Sequence, residues 1–151
     1  MSLYLVFRDS TANFMPISFE YIEPSKYFEK NYGSKTYYQS EFLKSVASNL
    51  TKDDIVIWFI DCQEPEDIEK LSKCKARKIL RAIDPSKSDK ILYKNQLSLH
   101  EKVGFEAFAI CYPNKDHIKF LESKGLKVII WPHSLDFKDS SSTLEKTKLF
   151  I

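Results

Sequence analysis

Short unbroken apolar runs alternate along this chain with stretches that carry an apolar residue every three or four positions. Leu3-Tyr-Leu-Val-Phe7 is the first run and the first expected strand. Ser18-Phe-Glu-Tyr-Ile22 alternates polar and apolar residues, as a half-buried strand does, and Pro24 closes it. Residues 26–39 show no clean period, and Gly33 predicts a loop. Ser40 reads as the N-cap of a helix through Leu50, with Phe42, Leu43, Val46, Ala47 and Leu50 on one face.

The middle of the chain carries the clearest signal. Ile55-Val-Ile-Trp-Phe-Ile60 is apolar throughout, the pattern of a strand buried on both faces of a parallel sheet. Pro65 opens a helix through Cys74 with Ile68 and Leu71 inward, and Lys78-Ile-Leu-Arg-Ala-Ile83 is the next strand, ended by Asp84-Pro85. A helix over 88–103 leads to a strand over 105–111. A helix over 115–123, capped by Gly125, leads to a strand over 126–131. Strands and helices alternating across short connections make βαβ units with right-handed crossovers. The expected fold is therefore α/β: a doubly wound, mostly parallel sheet with helices on both faces, Rossmann-like or flavodoxin-like.

Composition adds limits. A chain of 151 residues fits one domain, and 43% hydrophobic content is that of a globular protein. The net charge of +2 arises from 23 basic and 21 acidic residues without a separate basic run, which argues against a nucleic-acid partner. Cys62, Cys74 and Cys111 match no zinc-ligand spacing and read as buried thiols. The apolar start ends at Arg8-Asp9, too short for a signal peptide or a membrane span, so the expectation is an intracellular, cytoplasmic protein with no transmembrane segment. Residues 138–143 read as a surface loop. Beyond it, Lys146-Thr-Lys-Leu-Phe-Ile151 resembles the entry into another strand, which either completes this sheet or, the favoured reading, opens a second domain.

Open α/β sheets bind ligands at the carboxyl ends of their strands. This directs attention to Arg8 and Asp9, Asp61, Asp84, Tyr112-Pro113 and Pro132-His133-Ser134. His133 is the most suggestive chemically, since Pro132 turns the chain ahead of it and Ser134 and Asp136 follow. Three such residues in one loop rarely converge as a triad, and no Gly-x-Ser-x-Gly elbow is present. His100 shares a helix face with Gln96 and Val103 and reads as a partly exposed helical residue, and His117 as a solvated one. With three glycines the chain has no Gly-rich phosphate loop, so no cofactor site of its own is expected. A receiver-like phosphoacceptor pattern is matched by Asp61 and loosely by Asp9, but the strand-end Lys it needs is replaced by Trp131-Pro132-His133.

Taken in order, Lys78-Ile-Leu-Arg-Ala-Ile-Asp84, the helix with His100, Gly104-Phe-Glu-Ala-Phe-Ala-Ile110, Ile118 to Gly125, and Val128-Ile-Ile-Trp-Pro-His-Ser-Leu-Asp136 form a series. Over roughly residues 54–137 this series resembles the N-terminal, acceptor-side domain of GT-B glycosyltransferases of the group 1 and spore-maturation type. The resemblance implies a domain that holds a sugar or glycoconjugate acceptor. The nucleotide-sugar donor would be bound by a second glycosyltransferase domain or subunit, and no tightly held metal is implied. By local motif match it points to His133, Asp84 and His100 as candidate catalytic residues facing an interdomain cleft. The aromatic-rich segment from Phe14 to Tyr38 departs from the family's short Gly-rich first loop, and its rings suit stacking on sugars. The alternative reading is a non-catalytic flavodoxin-like binding or regulatory module.

Overall fold

A computed structural model describes residues 1–9, 26, 28–59, 64–81, 90–110 and 115–131. Six strands form one sheet: β1 (Leu3–Phe7), β2 (Lys35–Tyr38), β3 (Ile55–Trp58), β4 (Arg77–Arg81), β5 (Ala107–Ile110) and β6 (Lys127–Ile130). Their order is β2-β1-β3-β4-β5-β6, and every neighbouring pair is parallel. The helices are α1 (residues 28–32), α2 (Gln39–Ser45), α3 (Pro65–Lys73), α4 (Lys90–Val103) and α5 (Lys115–Ser123), with a 3₁₀ turn at Ala47–Asn49. The four strands expected from residue 55 onward thus lie side by side in sequence order. From β1 the chain first steps outward to β2 and then crosses back to β3. The strand order therefore reverses between β1 and β3, as in flavodoxin-like sheets.

Strand alternation divides the core in two. Tyr4 and Val6 of β1, Val56 and Trp58 of β3, Leu80 of β4 and Phe108 and Ile110 of β5 point to one face. There they meet Phe42 and Leu43 of α2, Leu71 of α3, Leu99 and Val103 of α4 and Leu121 of α5. Burial of Phe42 and of Phe108, both without solvent exposure, contributes roughly 1.5–3 kcal/mol each. The opposite face is a smaller cluster of Leu5, Phe7 and Ile57, joined by Phe28 of α1, Phe59, Ile79 and Trp131. Helices thus lie on both faces, α2 to α5 on one and α1 on the other.

Local chemistry shapes these elements. In α3 Pro65 occupies the first turn beside Glu66 and Asp67, while Lys70 and Lys73 occupy the last, so charge follows the helix dipole at both ends. Glu66–Lys70 and Glu69–Lys73 pair one turn apart at 2.7 and 2.5 Å. Gly125 ends α5 as expected, at φ +79°, with the Leu126 N–H donating to the Leu121 carbonyl at 3.2 Å.

Two stretches differ from the sequence expectation. Residues 26–39, read as irregular, contain both α1 and β2; Gly33, at φ +62°, ends α1 and turns the chain into the strand. β2 was hidden because Lys35-Thr-Tyr-Tyr38 lies at the sheet edge with three of its four residues exposed, so no apolar run marks it. The helix expected from Ser40 to Leu50 stops at Ser45 and tightens into the 3₁₀ turn, and Tyr38, not Ser40, holds the N-cap position. The strand expected at 18–22 and the loop at 138–143 lie outside the described residues.

Candidate functional site

The two edges of the sheet differ in kind. At the amino edge, polar groups are tied to one another. The Asp54 carboxylate accepts the Thr51 N–H at 2.9 Å and the Ser2 N–H at 3.1 Å, and these bonds hold its carboxyl below the ordinary range. Glu106 accepts a forked pair from Arg77 at 2.8 and 2.7 Å, with the Lys127 ammonium at 3.8 Å, which likewise depresses its carboxyl. Lys78 is buried, and its ammonium donates to the carbonyls of Cys74 and Ala76 at 2.6 and 3.3 Å just past the end of α3; burial lowers its pKa. The Cys74 thiol is buried and free, and burial raises its pKa. This edge holds the fold together.

His100 belongs to the amino edge. It lies in the last turn of α4, which leads into β5, and its Nδ1 accepts the Phe105 N–H at 3.1 Å while its carbonyl accepts the Gly104 N–H at 2.7 Å. That bond leaves the proton of the neutral ring on Nε2. The ring also meets Phe108 edge-on, with centroids 5.9 Å apart. Partial burial lowers its pKa, favouring the neutral acceptor that the bond requires. The side chain acts there as a helix C-terminal cap.

At the carboxyl edge the chain leaves β1 at Arg8 and Asp9 and, from β2, enters α2 at Gln39. The Asp9 carboxylate accepts the Ser40 backbone N–H at 3.1 Å and also its hydroxyl, and Gln39 donates to Asp67 of α3 at 3.0 Å. The strand registers align a row of side chains across the smaller face at this edge. Tyr38 lies opposite Phe7, Val6 opposite Trp58 (so that Phe7 neighbours Phe59), Trp58 opposite Leu80 (so that Phe59 neighbours Arg81), Arg81 opposite Ala109 and Ala109 opposite Ile129. Phe7 and Phe59 stack at 4.5 Å. Trp131, leaving β6, meets Phe59 edge-on at 5.9 Å and Phe28 at 5.4 Å, and Phe28 reaches Tyr32 at 5.7 Å.

Arg81 is the group that strand reading passed over. Its side chain is only 7% exposed, and Nη1 donates to the Ala109 carbonyl at 3.4 Å. A guanidinium buried at the carboxyl end of a central strand needs polar partners, and the Ala109 carbonyl is one of them. The available signal was an arginine interrupting the apolar run Ile79 to Ile83.

At this edge Tyr32 and Tyr38 are 63% and 43% exposed, whereas Phe7 and Arg81 are buried. Among the described residues no group of three or more His, Cys, Asp or Glu could hold a metal ion, and no helix is long and apolar enough to cross a membrane. Of the other candidates, Asp84 and His133 lie outside the described residues, as do Asp61, Cys62, Cys111, Tyr112, Pro113 and Pro132-His133-Ser134. Comparison of the chain with known protein families, curated proteins and solved structures gave no match.

Proposed function

We propose that this chain is a binding domain for a sugar or glycoconjugate acceptor, seated at the carboxyl edge of the sheet. It would supply the acceptor side of sugar transfer, with a nucleotide-sugar donor bound by a further domain or subunit. The observation that carries this reading is the group of rings that solvent reaches at this edge, Tyr32 and Tyr38 exposed and Phe59 and Trp131 half-buried, seated on the buried Phe7 and Arg81. Aromatic faces stack on the apolar faces of sugar rings. In this reading Asp84 and His133, which follow β4 and β6 in the sequence, are the polar contacts to the acceptor, and a base among them would assist attack of the acceptor hydroxyl on the donor. His100, committed to capping α4, serves the fold.

Tryptophan fluorescence tests the proposal directly. Trp58 is fully buried on the opposite face, so in a Trp58→Phe background the signal comes from the half-buried Trp131. Titration with a panel of neutral and acidic oligosaccharides is expected to quench that emission saturably, and Phe59→Ala to weaken the effect at least tenfold. The chain alone is expected to transfer no sugar. Absence of saturable quenching across the panel would remove the sugar-acceptor reading.

The strand order favours a second reading, a flavodoxin-like regulatory or binding module, because such sheets bind at the β1/β3 reversal, where Asp9 follows β1 and Phe59 follows β3. Chemical-shift changes at Asp9, Ser40 and Phe59 with a non-sugar ligand, and none with saccharides, would select it.

A further inference from the structure

Three amides in a row carry the chain from α4 into β5. Gly104, at φ +76°, donates its N–H to the His100 carbonyl at 2.7 Å, and the Glu106 N–H donates to the Lys78 carbonyl of β4 at 2.8 Å. Between them the Phe105 N–H donates to His100 Nδ1 at 3.1 Å. The outer two bonds join backbone to backbone and take up no proton. The middle one has an acceptor that titrates near neutrality. Once protonated, Nδ1 is itself a donor, so it would face the Phe105 N–H with neither group satisfied. Phe105 is only 3% exposed, so its amide has little access to water while the junction is closed.

We propose that this junction is a proton-operated catch: protonation of the His100 ring withdraws it from the Phe105 amide and opens the turn over residues 103–105, while the sheet stays paired. The opening is local because the pairing of β4 with β5 begins beyond it, with Ile79 opposite Ala107. The surroundings of the ring set its resting state. It is half-buried, and from β5 it meets the Phe105 amide and the apolar Phe108 ring, edge-on. On its own helix Glu101 favours the charged form, and burial outweighs that effect. Among the described residues, α3, α5 and the strands bring no charged or titratable group to bear on it. The catch is therefore closed at neutral pH and opens in acid. Opening bares Val103 and Phe105, both buried in the closed form, so the acid form presents apolar surface at the amino edge. The inference is independent of what the carboxyl edge binds.

Amide hydrogen exchange followed by NMR on the full chain tests it. With rates corrected for the intrinsic effect of pH, protection of the Phe105 amide is expected to fall roughly tenfold between about pH 7.5 and 5, the scale of one lost hydrogen bond. The fall should follow the titration of the His100 ring protons, while Val56 and Ile57 keep their protection. In His100→Asn the side-chain oxygen stands close to the place of Nδ1 and does not titrate, so Phe105 is expected to stay protected throughout. Phe105 protection that is unchanged across the titration of His100 would overturn the inference. So would a loss shared equally by Val56 and Ile57, which would show global unfolding, or the same pH dependence in His100→Asn. The first two outcomes are read without substitution, so they decide the question even if the variant is poorly folded.

Discussion

The carboxylate of Asp9, just past β1, accepts both the backbone N–H and the hydroxyl of Ser40 in the first turn of α2. The two residues are thirty-one positions apart. The bond supplies from outside the helix what a side-chain N-cap would supply from within, since Tyr38 makes no capping bond of its own. Asp9→Ala is therefore expected to destabilise the protein by about 1 kcal/mol, the usual cost of losing a cap. Ser40→Ala, which keeps the backbone N–H bond, is expected to cost less. Urea denaturation of both variants checks the order.

His100 makes stability pH-dependent in a defined direction. Its Nδ1 must be unprotonated to accept the Phe105 N–H, and partial burial lowers its pKa below the unfolded value of about 6.5. The unfolded chain thus binds the proton more readily than the folded one. The contribution is complete above about pH 6.5 and is lost as pH falls through the folded-state pKa. Denaturation curves at several pH values between about 5 and 7.5 should show this slope, and His100→Ala should lower stability at neutral pH while flattening it. An unchanged slope in the variant would assign the pH dependence to other groups.

Trp58 offers a contrast within one core. Its ring is fully buried, but the indole Nε1 has no hydrogen-bond partner among the described residues. Removing a buried, unsatisfied donor recovers a desolvation cost of roughly 1–3 kcal/mol, which offsets the lost ring volume in Trp58→Phe. The expected net change is within about 1 kcal/mol, from those opposing costs. Phe108→Ala in the same core has no such offset and should cost about 3–5 kcal/mol. Thermal or chemical denaturation of the pair distinguishes them.

The Glu106 carboxylate, forked onto Arg77 with Lys127 nearby, ties β4, β5 and β6 at the amino edge. These groups are largely solvated, so the effect of Glu106→Gln should be small and sensitive to salt. The stability difference from the unaltered protein is expected to shrink between 0.05 and 1 M NaCl, by the order of Debye screening. The depressed Glu106 carboxyl sets the pH direction: its contribution is present above its unfolded pKa and lost as pH falls through the folded value. A difference that persists undiminished in high salt would point to packing instead.

The amino-acid sequence by itself determined the class of fold and most of its strands. Ile55–Trp58 and Ala107–Ile110 must be covered on both faces, and only a sheet between layers can do this for consecutive apolar residues. The helix from Pro65 to Lys73 carries its own start signal in Pro65, charges that follow its dipole and an inward Leu71. What tertiary structure decided was which strands are neighbours and which distant side chains meet. Lys35–Tyr38 is a strand because β1 offers it an edge, and its polar, exposed sequence gives no sign of that. The order β2-β1-β3 follows from crossovers packing on opposite faces, a property of pairs of elements and of no single segment. His100 looked like a helical residue with chemistry to spare, and the fold uses its ring to close α4. Arg81 looked like one residue of a strand, and only the registers set it next to Phe59 in a row that begins at Tyr38. Periodicity records which face a residue turns inward, whereas a site depends on which elements the packed core brings to the same edge.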